Sequence, residues 1–126
     1  MGWNISPTVI ADEVEKQAIE HAQDIALEMH RKINELSPID TSRFVSNWFI
    51  SVGHPEEYFD ENRMLGRAGA FVEGGRDEVL QMKTLQDIWL QNLTPYGGDL
   101  EQGKSAQAPN GVVRVIFPAV ARKWGY

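Results

Sequence analysis

The chain of 126 residues contains no cysteine. That absence excludes a disulfide framework, a thiolate metal cluster and a cysteine nucleophile, and it fits a reducing compartment. Bases are scarce: twelve Lys and Arg against eighteen Asp and Glu leave a formal net charge of −6. Duplex-binding domains carry the opposite surplus to displace counterions, so specific nucleic-acid binding is not expected. No apolar run approaches the roughly 20 residues needed to span a bilayer, and the N-terminus lacks the basic-then-apolar order of a signal peptide. The expectation is a soluble, unexported protein with no membrane partner. Met1-Gly2-Trp3-Asn4-Ile5-Ser6 fits the loose myristoylation template, but no basic run follows to supply a second anchor.

Residues for catalysis are also sparse. Of the three histidines, His21 and His30 are nine positions apart rather than the four of a helical metal pair, and His54 stands with Glu56 alone in a loop; each reads as a solvated side chain. There is no Gly-rich phosphate loop with its lysine, no dinucleotide fingerprint and no G-x-S-x-G elbow. Glu56 and Glu57 are adjacent in a polar stretch, without the desolvation that splits a carboxylate pair into acid and base. The pattern points away from an enzyme, a metal or a cofactor.

With 42% apolar residues, the chain can fill one modest core. Ser6 can cap a helix with Pro7 at its first position. Val14, Ala18, Ala22, Ile25, Met29, Ile33 and Leu36 then recur at the helical period, and Ser37-Pro38 ends the helix. Thirty residues make a rod of ~45 Å, longer than the ~35 Å diameter of a compact domain this size. Either one end projects, a modest argument for assembly, or the helix kinks or frays.

Phe44 to Val52 reads as a strand, with room for one helical turn before it. His54-Pro55-Glu56-Glu57-Tyr58-Phe59-Asp60-Glu61 and the glycines that follow predict a mobile acidic, Gly-rich loop over 53–75. Tyr58 and Phe59 there either meet a partner or fold back onto the domain. Arg76 to Lys83 reads as a short helix. Leu85 to Leu93 and Asn110 to Tyr126 suit helix or strand, with a kink or break at Pro118. The whole is expected to be a single α+β domain over 1–126: a long N-terminal helix on a small, mainly antiparallel sheet, with one or two further short helices.

Asn92-Leu93-Thr94-Pro95-Tyr96-Gly97-Gly98-Asp99-Leu100-Glu101-Gln102-Gly103 and Gln107-Ala108-Pro109-Asn110-Gly111-Val112-Val113 resemble the tail-completion or minor tail proteins of tailed phages and prophages. In that family a strand ends in Asn, followed by Pro-Tyr-Ala, Leu-Glu-x-Gly and Gln-Ala-Pro-x-Gly-Met-Val. Ser37-Pro38-Ile39-Asp40-Thr41-Ser42-Arg43-Phe44 is similar to the family's Ser-Pro-Val-Asp-Thr-Gly-Arg-Leu. Ser42 replaces its glycine, Gly97 its alanine and Val112 its methionine, and one extra residue separates Asn92 from Pro95.

The resemblance implies a structural virion protein of the neck or head-proximal tail end, made in the host cytoplasm and assembling as a ring. Its partners would be further copies of itself and neighbouring neck or tail proteins, with DNA passing through the ring unread. Pro38, Asp40, Thr41, Pro95, Tyr96, Gly103, Pro109 and Gly111 form its structural motif. Pro95 fixes a turn, Gly97 and Gly98 permit tight backbone geometry, and Tyr96 offers a ring to bury. Glu101 and Lys104 are candidate contacts, since charges at a corner can set the register between subunits. Glu56, Glu57, Tyr58 and Phe59 are the loop's candidates for subunit or partner contact. A competing reading is a small cytoplasmic adaptor that lays the apolar face from Val14 to Leu36 into a partner's groove.

Overall fold

A computed structural model describes residues 7–103, 105, 107, 108 and 110–125. The expected cap at Ser6 and the Met1–Ser6 template lie outside the described residues, as do Lys104 and Pro109. Helix α1 runs unbroken over Pro7–Leu36. Its residues from Thr8 to Gln17 are all exposed, and burial begins at Ala18 and Ile19, so the end that projects is the N-terminal one. The covered stripe includes Ile19, His30, Ile33 and Asn34. Ser37 ends the helix: its N–H and its hydroxyl both donate to the Ile33 carbonyl, at 3.0 and 2.7 Å, and the hydroxyl accepts the indole N–H of Trp48 at 2.9 Å. Pro38 then prevents continuation.

One helical turn, α2 (Arg43–Ser46), leads into β1 (Trp48–Val52). The segment Leu85 to Leu93 resolves as a strand, β2 (Ile88–Asn92), antiparallel to β1 with Trp48 opposite Asn92 and Val52 opposite Ile88. Trp48 to Ser51 are buried on both faces, because α1 and the core lie on one side and the following segment folds over the other. Along its other edge, the Ile50 N–H donates to the Gly74 carbonyl at 2.8 Å. Gly75, at φ +97°, passes so close that a Cβ would overlap the Ile50 carbonyl oxygen, so the approach needs glycine.

The expected mobile loop over 53–75 is instead a tied segment containing a helix, α3 (Gly66–Val72). The Asn47 side chain exchanges hydrogen bonds with the backbone of Asp60, donating at 3.0 Å and accepting at 3.0 Å. Arg63 donates to the Ser46 and Glu73 carbonyls, and Arg67 to those of Asn34 and Glu35 at the end of α1. These side-chain tethers stand in for the apolar period that the segment lacks. A short helix, α4 (Arg76–Leu80), precedes β2, and α5 (Gly97–Glu101) follows it.

The C-terminal segment is helix α6 (Val113–Lys123), continuous through Pro118. Proline deprives one carbonyl of its partner, but here it sits on the exposed face, where water can take that role. The buried stripe Val112, Ile116 and Val120 holds the helix against α1. At its end, Lys123 and the Trp124 indole N–H both bond the Glu28 carboxylate, which those two donors hold below the usual carboxylate range.

The fold is therefore α+β, with five further helices, α2 to α6, among the described residues where one or two short ones were expected. Its core has two parts. Ile33, Phe44, Trp48, Ala108, Val112, Ile116 and Val120 form one, and Ile19, Ile50, Val79 and Met82 the other; Leu90 packs against both. No helix among the described residues is long and apolar enough to cross a membrane.

Candidate functional site

The two sequence motifs, Ser37–Phe44 and Asn92–Val113, are 48 residues apart at their near ends and close on one another. The Gln107 side chain brackets Ile39, accepting its N–H at 2.7 Å and donating to its carbonyl at 2.7 Å. Asn92 donates to the Phe44 carbonyl at 2.8 Å, while the Tyr96 ring lies 6.3 Å from that of Phe44, which in turn meets Trp48 edge-on at 5.7 Å. Between the motifs lies an open cleft of about 430 Å³, whose walls include Pro38, Asp40, Thr41, Arg43, Tyr96 and Gln107.

Each motif is shaped locally. Thr94-Pro95-Tyr96-Gly97 is a turn closed by the Gly97 N–H on the Thr94 carbonyl at 3.0 Å, with Pro95 supplying the fixed φ of its second position. Gly97 and Gly98 are helical residues of α5 rather than the tight backbone expected of them. The positive-φ glycines of the corner are Gly103 at φ +85° and Gly111 at φ +83°, and a Cβ at Gly111 would overlap the Glu101 carbonyl oxygen. Ser42 is the one described non-glycine residue at positive φ, 64°. Its hydroxyl accepts the Gly66 N–H at 3.0 Å, joining α2 to α3. Thr41 accepts the Arg43 N–H at 3.4 Å, and Asp40 is exposed.

Glu101 is placed differently from expectation. Its carboxylate accepts the N–H groups of Val112 at 2.9 Å, Val113 at 2.9 Å and Arg114 at 2.6 Å. These are donors of the first turn of α6 that have no partner within the helix, and a carboxylate also suits the positive end of the helix dipole. The expected contact residue is thus an internal clamp, its oxygens already engaged.

The loop candidates divide. Glu57 and Tyr58 are exposed, whereas Glu56 and Phe59 are half-buried. The Glu56 N–H donates to the Gln91 side chain at 2.8 Å, and the Tyr58 ring tilts over Phe49 at 5.1 Å while remaining 52% exposed. Arg63 stacks on the same Phe49 ring, 4.9 Å from its centroid. Arg43 ties the loop to the cleft by donating to the Glu61 carbonyl at 2.6 Å.

One polar cluster went unread in the sequence. His30, expected to be solvated, is fully buried. Its Nδ1 lies 3.0 Å from the Arg76 guanidinium, which can only donate, so Nδ1 accepts and Nε2 carries the proton. Its ring stacks on Phe71, centroids 5.9 Å apart. Burial, reinforced by the Arg76 charge, lowers its pKa to about 4. The readable signal was spacing, because Ala26, His30, Ile33 and Ser37 follow the helical period. Among the described residues no three His, Asp or Glu side chains converge as a metal site would need. Comparison with models of known protein families, with curated proteins and with solved structures returns no match.

Proposed function

We propose that this chain is a structural protein of a tailed phage, placed at the neck or head-proximal tail end and assembling as a ring that completes the tail or joins it to the head. The observation that carries the reading is the closure of Ser37–Phe44 on Asn92–Val113 through Gln107 and Ile39: the two segments that resemble the phage family behave as one structural unit. Ser42 adds support, since it occupies the family's glycine position with the left-handed backbone that glycine takes without strain. The projecting start of α1 supplies a surface that the single chain leaves uncovered. A net charge of −6 suits a passage that must repel phosphate rather than grip it.

The adaptor reading is less favoured. Of the helical face it would present, Ile33 is buried and Ile25, Met29 and Leu36 pack against the core, which leaves only the first turns of α1 for a groove. The experiment is to interrupt the gene with a stop codon in the phage or prophage that carries it and to view lysates by negative-stain microscopy. Filled heads beside detached tails are expected, and overlong tails would select the terminator role. Normal infectious particles would overturn the proposal.

A further inference from the structure

We propose that the projecting N-terminal turns of α1 dock on the exposed face of α6 of a second copy of this chain. The inference deepens the ring reading above and rests on it. Within one chain the two surfaces cannot meet. The end of α6 abuts α1 at His21, whose ring meets that of Trp124 edge-on at 5.2 Å. Residues Thr8 to Gln17 continue the same unbroken helix beyond that point, so they extend past their own α6 and can reach only another copy's.

The two surfaces match in character. On the arm, Ile10 and Val14 are 54% and 61% exposed and one turn apart; on α6, Val113 and Phe117 are 37% and 56% exposed and likewise one turn apart. Burying such pairs against each other removes apolar surface that neither chain can cover alone. The charges are complementary. From Thr8 to Glu20 there are four acids, Asp12, Glu13, Glu15 and Glu20, against one base, Lys16. Helix α6 carries three bases and no acid, and neither Arg114 nor Arg122 forms an ion pair with a described residue.

On the helical wheel Glu13 lies beside Ile10 and Arg114 beside Phe117, so each apolar pair has a charge of opposite sign at its edge, while Glu20 and Arg122 lie further round their helices. Because the arm and the α6 face are different patches, the contact is head-to-tail, and repetition of a head-to-tail contact gives a ring where the rotation closes.

The absence of native cysteine makes the test direct. Purified chain carrying both Val14→Cys and Phe117→Cys is oxidised at high concentration and run without reductant. A ladder of dimers, trimers and larger species is expected. Chains carrying one cysteine each should stay monomeric alone and form a single dimer band when mixed. Combining Glu13→Arg and Glu20→Arg should abolish the ladder, and adding Arg114→Glu and Arg122→Glu to that chain should restore it. Circular dichroism checks that each variant is folded, with Val113→Cys as the substitute where Phe117→Cys is not. No ladder from folded double-cysteine chain would overturn the proposal, as would dimerisation of Val14→Cys alone, which signals an arm-to-arm contact. The assay contains no phage, so its failure is separate from that of the virion reading: a ladder from a protein absent from particles would refute the function and leave the contact.

Discussion

Replacing Glu101 by alanine removes the acceptor for three N–H groups at the start of α6. Those of Val113 and Arg114 belong to exposed residues and can turn to water, whereas Val112 is fully buried and its N–H is left unsatisfied. Loss of a cap, loss of a favourable charge at the helix dipole and one stranded buried donor together cost about 3 kcal/mol. The loss should fall on the part of the core that α6 completes through Ile116 and Val120. For a domain of this size that corresponds to a fall in melting temperature of about 10 °C. Glu101→Gln keeps one acceptor oxygen and loses the charge, so it should cost about 1 kcal/mol. Urea unfolding followed by tryptophan fluorescence and far-ultraviolet circular dichroism reads both. Stability of Glu101→Ala within about 0.5 kcal/mol of wild type, the range of ordinary surface changes, would refute the clamp and return Glu101 to the candidates for contact between subunits.

Other perturbations separate the remaining parts. His30 is buried neutral with its pKa lowered to about 4, so the unfolded chain takes up a proton below about 6.5 while the native chain does not. Stability should therefore fall by about 3 kcal/mol as pH drops from 6.5 through 4; a His30 ring titrating near 6.5 by nuclear magnetic resonance would contradict this. Ser42→Gly should be about 1 kcal/mol more stable than Ser42→Ala, because both lose the bond to Gly66 but only glycine relieves the left-handed strain; equal stabilities would count against strain at this position. Gln107→Ala should cost about 1 kcal/mol for its two bonds to an exposed strip of backbone, and an unchanged denaturant midpoint would show that the motifs are not held through this side chain. Glu57→Ala with Tyr58→Ala should leave stability within about 1 kcal/mol of wild type while lowering incorporation into particles; normal incorporation would remove the loop from the contact surface.

How far the sequence could be read depended on whether the determinants were local. Helix α1 was legible because its apolar stripe from Val14 to Leu36 repeats over about six turns, and its length left a projecting end and a kinked or frayed helix as the two readings, of which the exposure of Thr8 to Gln17 selects the first. Helix α3 was not: Gly66 and Gly69 look like flexibility, and only Ala70 of its residues is buried, so the segment is shaped by distant tethers from Asn47, Arg63 and Arg67. Strand β2 stayed ambiguous because its half-buried residues show no alternation, and α6 because it begins with β-branched side chains. The capping role of Glu101 was not legible for a related reason, since its partners lie eleven to thirteen residues along the chain and only the fold brings them to it. A deletion of Glu56 to Glu61, attractive for a free loop, would also break the Asp60–Asn47 exchange, which is why point substitutions are the cleaner probe.

The central claim is tested most directly by locating the protein on the particle. Phage whose copy of this gene carries a C-terminal epitope tag would be purified, labelled with gold-conjugated antibody and viewed by electron microscopy. Gold at the junction of head and tail, on most particles and nowhere else, is the predicted result. Purified particles free of label, with the tagged chain left in the soluble lysate, would contradict the account.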